Sequence, residues 1–240
     1  MLKLSIVTPT LKEEGYIEGT IRQFEKLHIP HEIIISDGGS TDKTVEIARA
    51  FADQVIVMTD GKPTPAKQRN DGAKLAVGEF LCFTDSSVRI PDIEHFFERA
   101  FAKFVADPEL VAVTGPQTIF PEIETFWDRL FLGIQDYLIW FQNNIIHRGA
   151  GTGKFMLMRR TAFVKIDGFN EKLVAAEDLN LYLRLSTVGK TRYCADLAIL
   201  YPGRREHGLG WPKLLWIWTT NVIWVWIFGH TWIKEWYPVR

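Results

Sequence analysis

The sequence predicts an α/β fold with a mostly parallel central sheet flanked by helices. Three observations predict it. Short apolar runs alternate with amphipathic helical patterns through the first half of the chain, the order that gives parallel strands joined by right-handed crossovers. The runs are continuous instead of alternating, as in Ile33-Ile34-Ile35 and Phe80-Leu81-Cys82-Phe83, which suits strands buried on both faces. Each run stops at a polar turn: Thr8-Pro9-Thr10, Asp37-Gly38-Gly39-Ser40 or Asp85-Ser86-Ser87. Ligands bind at the carboxyl ends of strands in open α/β sheets, so these turns are the first candidates for a site.

Taken in order, residues 2–7 form a first strand. Residues 16–27 form a helix with Ile17, Ile21, Phe24 and Leu27 on one face, ended by Pro30. Residues 32–36 and 55–58 are the second and third strands. Between them runs a helix carrying Val45, Ile47, Ala48 and Phe51, with Ser40 or Thr41 as its cap. A helix over 66–76 stops at Gly78 and leads into the strand 79–84. A helix over 91–106 and a strand over 110–114 follow. The glycine-rich segment Gly149-Ala150-Gly151-Thr152-Gly153 opens a strand over 154–158. After a short helix, residues 175–185 read as a helix with Glu177 and Asp178 in its first turn. Strand-like pieces at 192–194 and 198–201 close the globular part. No repeat or linker divides it, so one domain over 1–210 and a tail over 211–240 are expected.

Composition excludes some functions. The chain's 240 residues carry 28 Lys+Arg against 29 Asp+Glu, which argues against a protein that neutralises nucleic-acid phosphates. Cys82 and Cys194 are far apart in apolar settings and fit a structural role in a reducing compartment. Met1-Leu2-Lys3-Leu4 runs straight into a strand pattern, so no secretory signal is expected.

Two stretches are unusual. Over 126–146 bulky apolar residues recur at helical spacing, with Asp128, Arg129 and Asp136 as sparse charges. This is either an ordinary core helix or one lying on a membrane surface. In the tail, seven of the nine tryptophans fall between Trp211 and Trp236, and residues 214–233 contain no Asp, Glu, Lys or Arg. That length is enough to span, but Thr219, Thr220 and Asn221 interrupt its middle and tryptophan favours the headgroup boundary. A helix lying in the interface is preferred over a single span, with burial in a homodimer as the third possibility.

Four features share equivalent places, just after a strand or at a helix start. They are Thr8-Pro9-Thr10 with Glu13, Asp37-Gly38-Gly39-Ser40-Thr41-Asp42, Asp85-Ser86-Ser87 and Glu177-Asp178. Ala66-Lys67-Gln68-Arg69-Asn70-Asp71-Gly72 precedes the Asp85 strand. Over residues 2–205 this combination resembles the family 2 glycosyltransferases, inverting enzymes that use nucleotide-sugar donors. The resemblance implies a GT-A, Rossmann-like sheet. It implies donor binding by Pro9, Thr10, Glu13, Asp37, Gly39, Ser40, Arg69, Asp85 and Ser86. Asp37 and Asp85 can offer acceptors to the base and ribose, and glycine lets the backbone approach a flat ligand. Lys67 and Arg69 are two residues apart on a helix and do not share a face, so one of them, Arg69 by the family pattern, reaches the phosphates. Arg204 and Arg205 are candidates to clamp the leaving diphosphate.

The resemblance makes Asp178 the general base, with Glu177 orienting it. Inversion needs a carboxylate that takes a proton from the acceptor hydroxyl. Without the resemblance, both acids would be read as favouring a helix N-terminus. The family also implies a divalent cation, Mg or Mn, held by Asp-x-Asp. Here Ser87 replaces the second Asp, and hydroxyl is a poor ligand for a hard cation. Asp85, Ser87 and His207 are the candidate ligands, with Glu206 and His207 in a loop that could fold over the donor. Lys12 stands where the family usually has Asn. The expected activity is sugar transfer from a UDP- or GDP-linked donor to a lipid-linked or glycan acceptor at the cytoplasmic face of the cell membrane, a respect in which the chain is similar to the dolichyl-phosphate sugar synthases. The alternatives are a membrane-anchored binding module with a degenerate metal site and a nucleotidyltransferase. The second lacks its glycine-rich loop, since residues 8–15 hold one glycine.

Overall fold

The structure, a computed structural model, describes residues 3–228, except for the side chains of residues 222, 223 and 225–228. The chain begins with β1 (Leu4–Thr10), α1 (Ile17–Phe24), β2 (His31–Asp37), α2 (Thr44–Phe51) and β3 (Gln54–Val57). Then come α3 (Pro65–Leu75), β4 (Phe80–Thr84), α4 (Ile93–Ala106), β5 (Leu110–Thr114), β6 (Gln117–Ile119) and the long α5 (Phe126–Asn144). The last part holds β7 (Phe155–Arg159), α6 (Arg160–Lys165), α7 (Glu177–Leu185), β8 (Lys190–Tyr193), β9 (Ile199–Tyr201), α8 (Arg204–Leu209) and α9 (Trp211–Phe228).

Among the described residues the main sheet has seven strands in the order β3-β2-β1-β4-β7-β5-β8, and β6 pairs with β9. The pairs β2–β3, β1–β2, β1–β4 and β5–β8 are parallel, while β7 runs antiparallel to β4 and β5. The sheet grows one way from β1 through β2 and the other way through β4, so a crevice opens at the carboxyl ends of these two strands. Because β7 is reversed, its first residue Phe155 lies opposite Thr84. The reversal carries the glycine-rich segment to the same end of the sheet.

Both faces are covered, as the continuous apolar runs predict. On β4, Phe80 and Cys82 pack into one core cluster with α1 and α4, while Leu81 and Phe83 pack into the other with α3, α6 and α7. Phe83 meets Phe163 and Phe169 at ring separations of 5.3 and 5.1 Å. Burying each such ring contributes roughly 1.5–3 kcal/mol. Cys82 and Cys194 are free and buried, and burial pushes both thiols up in pKa.

The structure corrects several expected elements. β1 continues through Thr10, because Thr8, Pro9 and Thr10 pair with Ile35, Ser36 and Asp37 of β2. The proline is tolerated where the ladder to β4 has already ended, at Val7. Neither Ser40 nor Thr41 caps α2; its N-cap is Lys43, and the Asp42 carboxylate accepts from the Thr44 backbone N–H at 3.1 Å. The loop expected after residue 203 is the short helix α8, entered through Gly203 at φ +61°. β6 has three residues and no periodicity to betray it.

Helix α5 is turned opposite to a core helix. Its buried residues are Asp128, Leu132, Ile139 and Asn143. Most of its large apolar side chains face outward, with Phe126 71% and Tyr137 60% exposed, joined by Trp127, Ile134 and Leu138. Thr125 and Asp128 form a capping box that fixes its start. α9 packs beside it: Trp211 lies 5.0 Å from Phe131 ring to ring, and Leu214 is buried in the main core. Among the described residues no helix is long and apolar enough to cross a membrane. The rest of the expected tail, including Trp232 and Trp236, lies outside the described residues.

Candidate active site

The site is assembled around Arg69. α3 starts where Thr64 Oγ1 accepts from the Lys67 backbone N–H at 3.2 Å, with Pro65 in its first turn. One turn on, Arg69 is 2% exposed. Its Nη1 donates to Glu177 Oε1 at 2.8 Å, and its Nη2 donates to Asp85 Oδ1 and to the Gly153 carbonyl, both at 3.1 Å. One guanidinium therefore ties the end of β4, the approach to β7 and the start of α7. Burial works against its charge, and the attraction of Asp85, Glu177 and Asp178 outweighs it, so its pKa is raised. Lys67 is different: it forms a surface pair with Asp71 at 2.7 Å.

Glu177 and Asp178 open α7. The residue before them, Ala176, is held at φ +58°, a left-handed conformation that costs a non-glycine residue about 1–3 kcal/mol. Such strain persists where surrounding contacts over-determine it. Asp178 Oδ1 accepts from the Leu179 backbone N–H at 2.8 Å. Burial raises the pKa of both carboxyls, and the neighbouring Asp178 charge raises Glu177 further. Gly153 is wedged between the two halves. A Cβ there would lie 2.9 Å from Arg69 Nη2 and 3.4 Å from Asp178 Oδ2.

Two further basic residues, Arg204 and Lys154, are paired with acids in the same crevice. Arg204 Nη2 donates to both oxygens of Glu13, at 2.9 and 3.0 Å, and lies 3.4 Å from Ser87 Oγ. Glu206 is buried; it accepts from Tyr201 Oη at 2.9 Å and sits 3.6 Å from Lys154 Nζ. The side chain of Gln68 donates to the carbonyls of Thr10 and Ser36, at 2.7 and 2.8 Å, and so joins the ends of β1 and β2.

These groups line one cavity of about 1000 Å³. Of the sequence candidates, Pro9, Thr10 and Glu13 line it from β1, and Asp85, Ser86 and Ser87 from β4. Arg69, Glu177, Asp178, Arg204 and Arg205 line it as well, and the Arg205 charge interacts with Asp85 and Glu177. Asp37, Gly39 and Ser40 are not brought to it. Asp37 is fully buried and accepts from the Gly39 and Ser40 backbone N–H groups of its own loop and from Thr10 Oγ1 at the end of β1. His207 is not brought to it either, and its Nε2 lies 2.9 Å from Asp128 Oδ2. Sequence reasoning missed Lys154, Tyr201 and Gln68. Lys154 had a signal, since it ends the glycine-rich segment at a strand start.

The residues present do not fit a preformed cation site. Among the described residues no group of three or more His, Cys, Asp or Glu could hold a metal ion. Asp85 shares its carboxylate with Arg69, and Ser87 faces Arg204.

The fold and crevice are those of an α/β domain with its polar site at a topological switch point, built from paired acids and guanidinium groups. The family described as Glycosyl transferase family 2 matches residues 5–167, and the chain belongs to that family. The succinoglycan biosynthesis protein ExoA of Rhizobium meliloti (strain 1021) is 27% identical over 86% of this chain and 65% of its own length. The O-antigen chain rhamnosyltransferase WbaN of Salmonella anatum is 27% identical over 83% of this chain and 66% of its own. The chain thus spans just under two thirds of these relatives. Among solved structures, the mannosyltransferase PcManGT from Pyrobaculum calidifontis, in complex with GDP-Man and Mn2+, superposes with a TM-score of 0.70 at 17% identity, covering 92% of this chain and 61% of that one. TarS 1-349 of S. aureus gives 0.64 at 20%, covering 98% of this chain and 67% of that one. Both share the GT-A-type fold.

Proposed function

We propose that this chain is an inverting glycosyltransferase that moves a sugar from a nucleoside diphosphate donor to a membrane-associated acceptor. The observation that carries the reading is the acidic pair in the crevice, with Glu177 buried and bonded to Arg69 and Asp178 half-buried beside it. Asp178 takes the proton of the acceptor hydroxyl as its oxygen attacks the anomeric carbon. The bond from that carbon to the phosphate oxygen breaks on the opposite face, and the nucleoside diphosphate leaves with the electron pair. Burial keeps Asp178 basic enough to accept a proton. Arg69 fixes the acids and Asp85, and the basic residues Arg204, Arg205 and Lys154 receive the charge that develops on the diphosphate. Pro9, Thr10, Asp85 and Ser86 hold the base and ribose, and Asp37 shapes the loop behind them.

The exposed face of α5 supports a membrane-associated acceptor. A row of outward aromatics on a helix beside the crevice suits a membrane surface. A peripheral position at the cytoplasmic face brings a lipid-linked glycan to the site. The relatives named for succinoglycan and O-antigen synthesis are in keeping with such acceptors. The PcManGT complex with GDP-Man and the TarS complex with UDP support a GDP- or UDP-linked donor. A second copy of the chain would be the other occupant of the α5 face. Replacing Asp178→Asn should abolish transfer, at least a thousandfold, while calorimetric affinity for UDP or GDP stays within about threefold. Loss of nucleotide binding instead would remove Asp178 from the base role.

A further inference from the structure

The corner of the crevice where the family would place a dication already holds a fixed cation. Ser87 stands two residues beyond Asp85, and Arg204 Nη2 lies 3.4 Å from its Oγ. A cation on that oxygen would sit about 2.3–2.6 Å from it. It could then lie no further than about 6 Å from the guanidinium nitrogen, whatever its direction, because both distances are measured from one atom. Two positive groups at that separation oppose each other. The guanidinium is not free to swing away, because Glu13 holds it through both carboxylate oxygens and it rests 4.8 Å above the Tyr16 ring.

The carboxylates tell the same story. Glu13 pairs with Arg204, Asp85 and Glu177 pair with Arg69, and Glu206 has Lys154 at 3.6 Å. A dication site needs several oxygen ligands whose negative charge is not already matched. Glu13 and Glu206 each have a basic partner, Asp85 and Glu177 share Arg69 and feel the Arg205 charge as well, and Asp178 is taken by its role as base.

We propose that this chain binds the donor diphosphate without a divalent cation, with Arg204 as the fixed charge in the cation's place and Ser87 accommodating it. The proposal rests on the donor-site reading above. Glu13 is then a positioning residue, since an aspartate at position 87 would compete with it for Arg204. A guanidinium can meet two phosphate oxygens at once, which makes it a competent replacement.

Calorimetry on metal-stripped protein tests this with UDP, GDP, ADP, CDP and dTDP and their monophosphates. One set is run in EDTA and one in millimolar Mn2+. The expected result is a diphosphate that binds with the same Kd, within twofold, in both. Arg204→Ala should weaken that diphosphate at least tenfold and its monophosphate less than threefold, and Arg204→Lys should recover part of the loss. Unchanged thermal unfolding of the two variants shows that they fold. Tightening by Mn2+ of tenfold or more overturns the proposal and leaves the donor site standing. So does an Arg204→Ala variant that still prefers diphosphate. Absence of binding by every nucleotide in both conditions overturns the proposal together with the donor-site reading.

Discussion

Arg69 and Lys67 lie two residues apart on one helix, yet they differ in every energetic respect. Lys67 joins Asp71 at the surface, and such pairs contribute about 0–1 kcal/mol. Arg69 is buried with two carboxylates and a carbonyl. Removing one partner of a buried pair costs about 3–5 kcal/mol because the other charge is stranded. Arg69→Met is therefore expected to lower unfolding stability by about that amount, while Lys67→Ala shifts it by less than about 1 kcal/mol. Chemical denaturation of the two variants measures the difference. That Arg69 and Lys67 do not share a face was legible from helical spacing, and Arg69 lines the cavity. Its task was not, because Glu177 and Gly153 are 108 and 84 residues away in the chain and no local signal names such partners. The opposite happened at Asp37. Its place after a strand was legible, but the hydrogen bonds that turn it inward to its own loop are a matter of backbone geometry after Gly38.

Among the elements, α5 is the one whose orientation the sequence left open between a core helix and a surface helix, and its bulky apolar side is exposed. Its period was plain in the sequence, but the period does not say which side faces inward. The usual rule assumes that the apolar stripe does. Here the inward side is selected by hydrogen bonds. Asn143 donates to the Ala150 carbonyl at 2.7 Å and accepts from Thr191 Oγ1 at 2.6 Å. Asp128 accepts from the Trp211 indole at 2.7 Å. Burying these polar groups costs little once they are paired, and the aromatics are left outside. Exchanging Phe126, Trp127 and Tyr137 for serine together should leave the fold intact, since none of the three is buried. It should lower sedimentation with anionic phospholipid vesicles at least tenfold. Equal sedimentation of variant and wild type would assign the face to another occupant.

At the scale of the whole molecule, the α5–α8–α9 assembly hangs on Asp128. Burial alone would raise its pKa; hydrogen bonds from His207, Thr125 and Trp211 outweigh that and bring it to about 2. A carboxyl depressed in the folded state stabilises above its unfolded pKa and loses that contribution as pH falls through the folded one. The loss should run from about pH 4 down to about pH 2 and amount to roughly 2 kcal/mol. Asp128→Asn should be less stable than wild type at pH 7, and the gap should close in acid-unfolding curves near pH 2. The parallel half of the sheet and its crevice were legible as a whole, because local apolar runs and turns specify them. β6, α8 and the packing of α9 were not, since each is short or is held in place only by distant partners.

The reversed strand β7 has a consequence for how the chain becomes active during synthesis. Strands β1 to β5 can pair as they emerge, except that β4 and β5 have no direct ladder and must wait for β7 to slot between them. Until α7 also arrives, Arg69 has no carboxylate at its Nη1. A nascent chain that ends before β7 therefore holds only the β3-β2-β1-β4 part of the sheet, with Arg69 paired to Asp85 alone, a state that favours delay and chaperone capture over early closure. Competence for catalysis is thus postponed until α7 has been made.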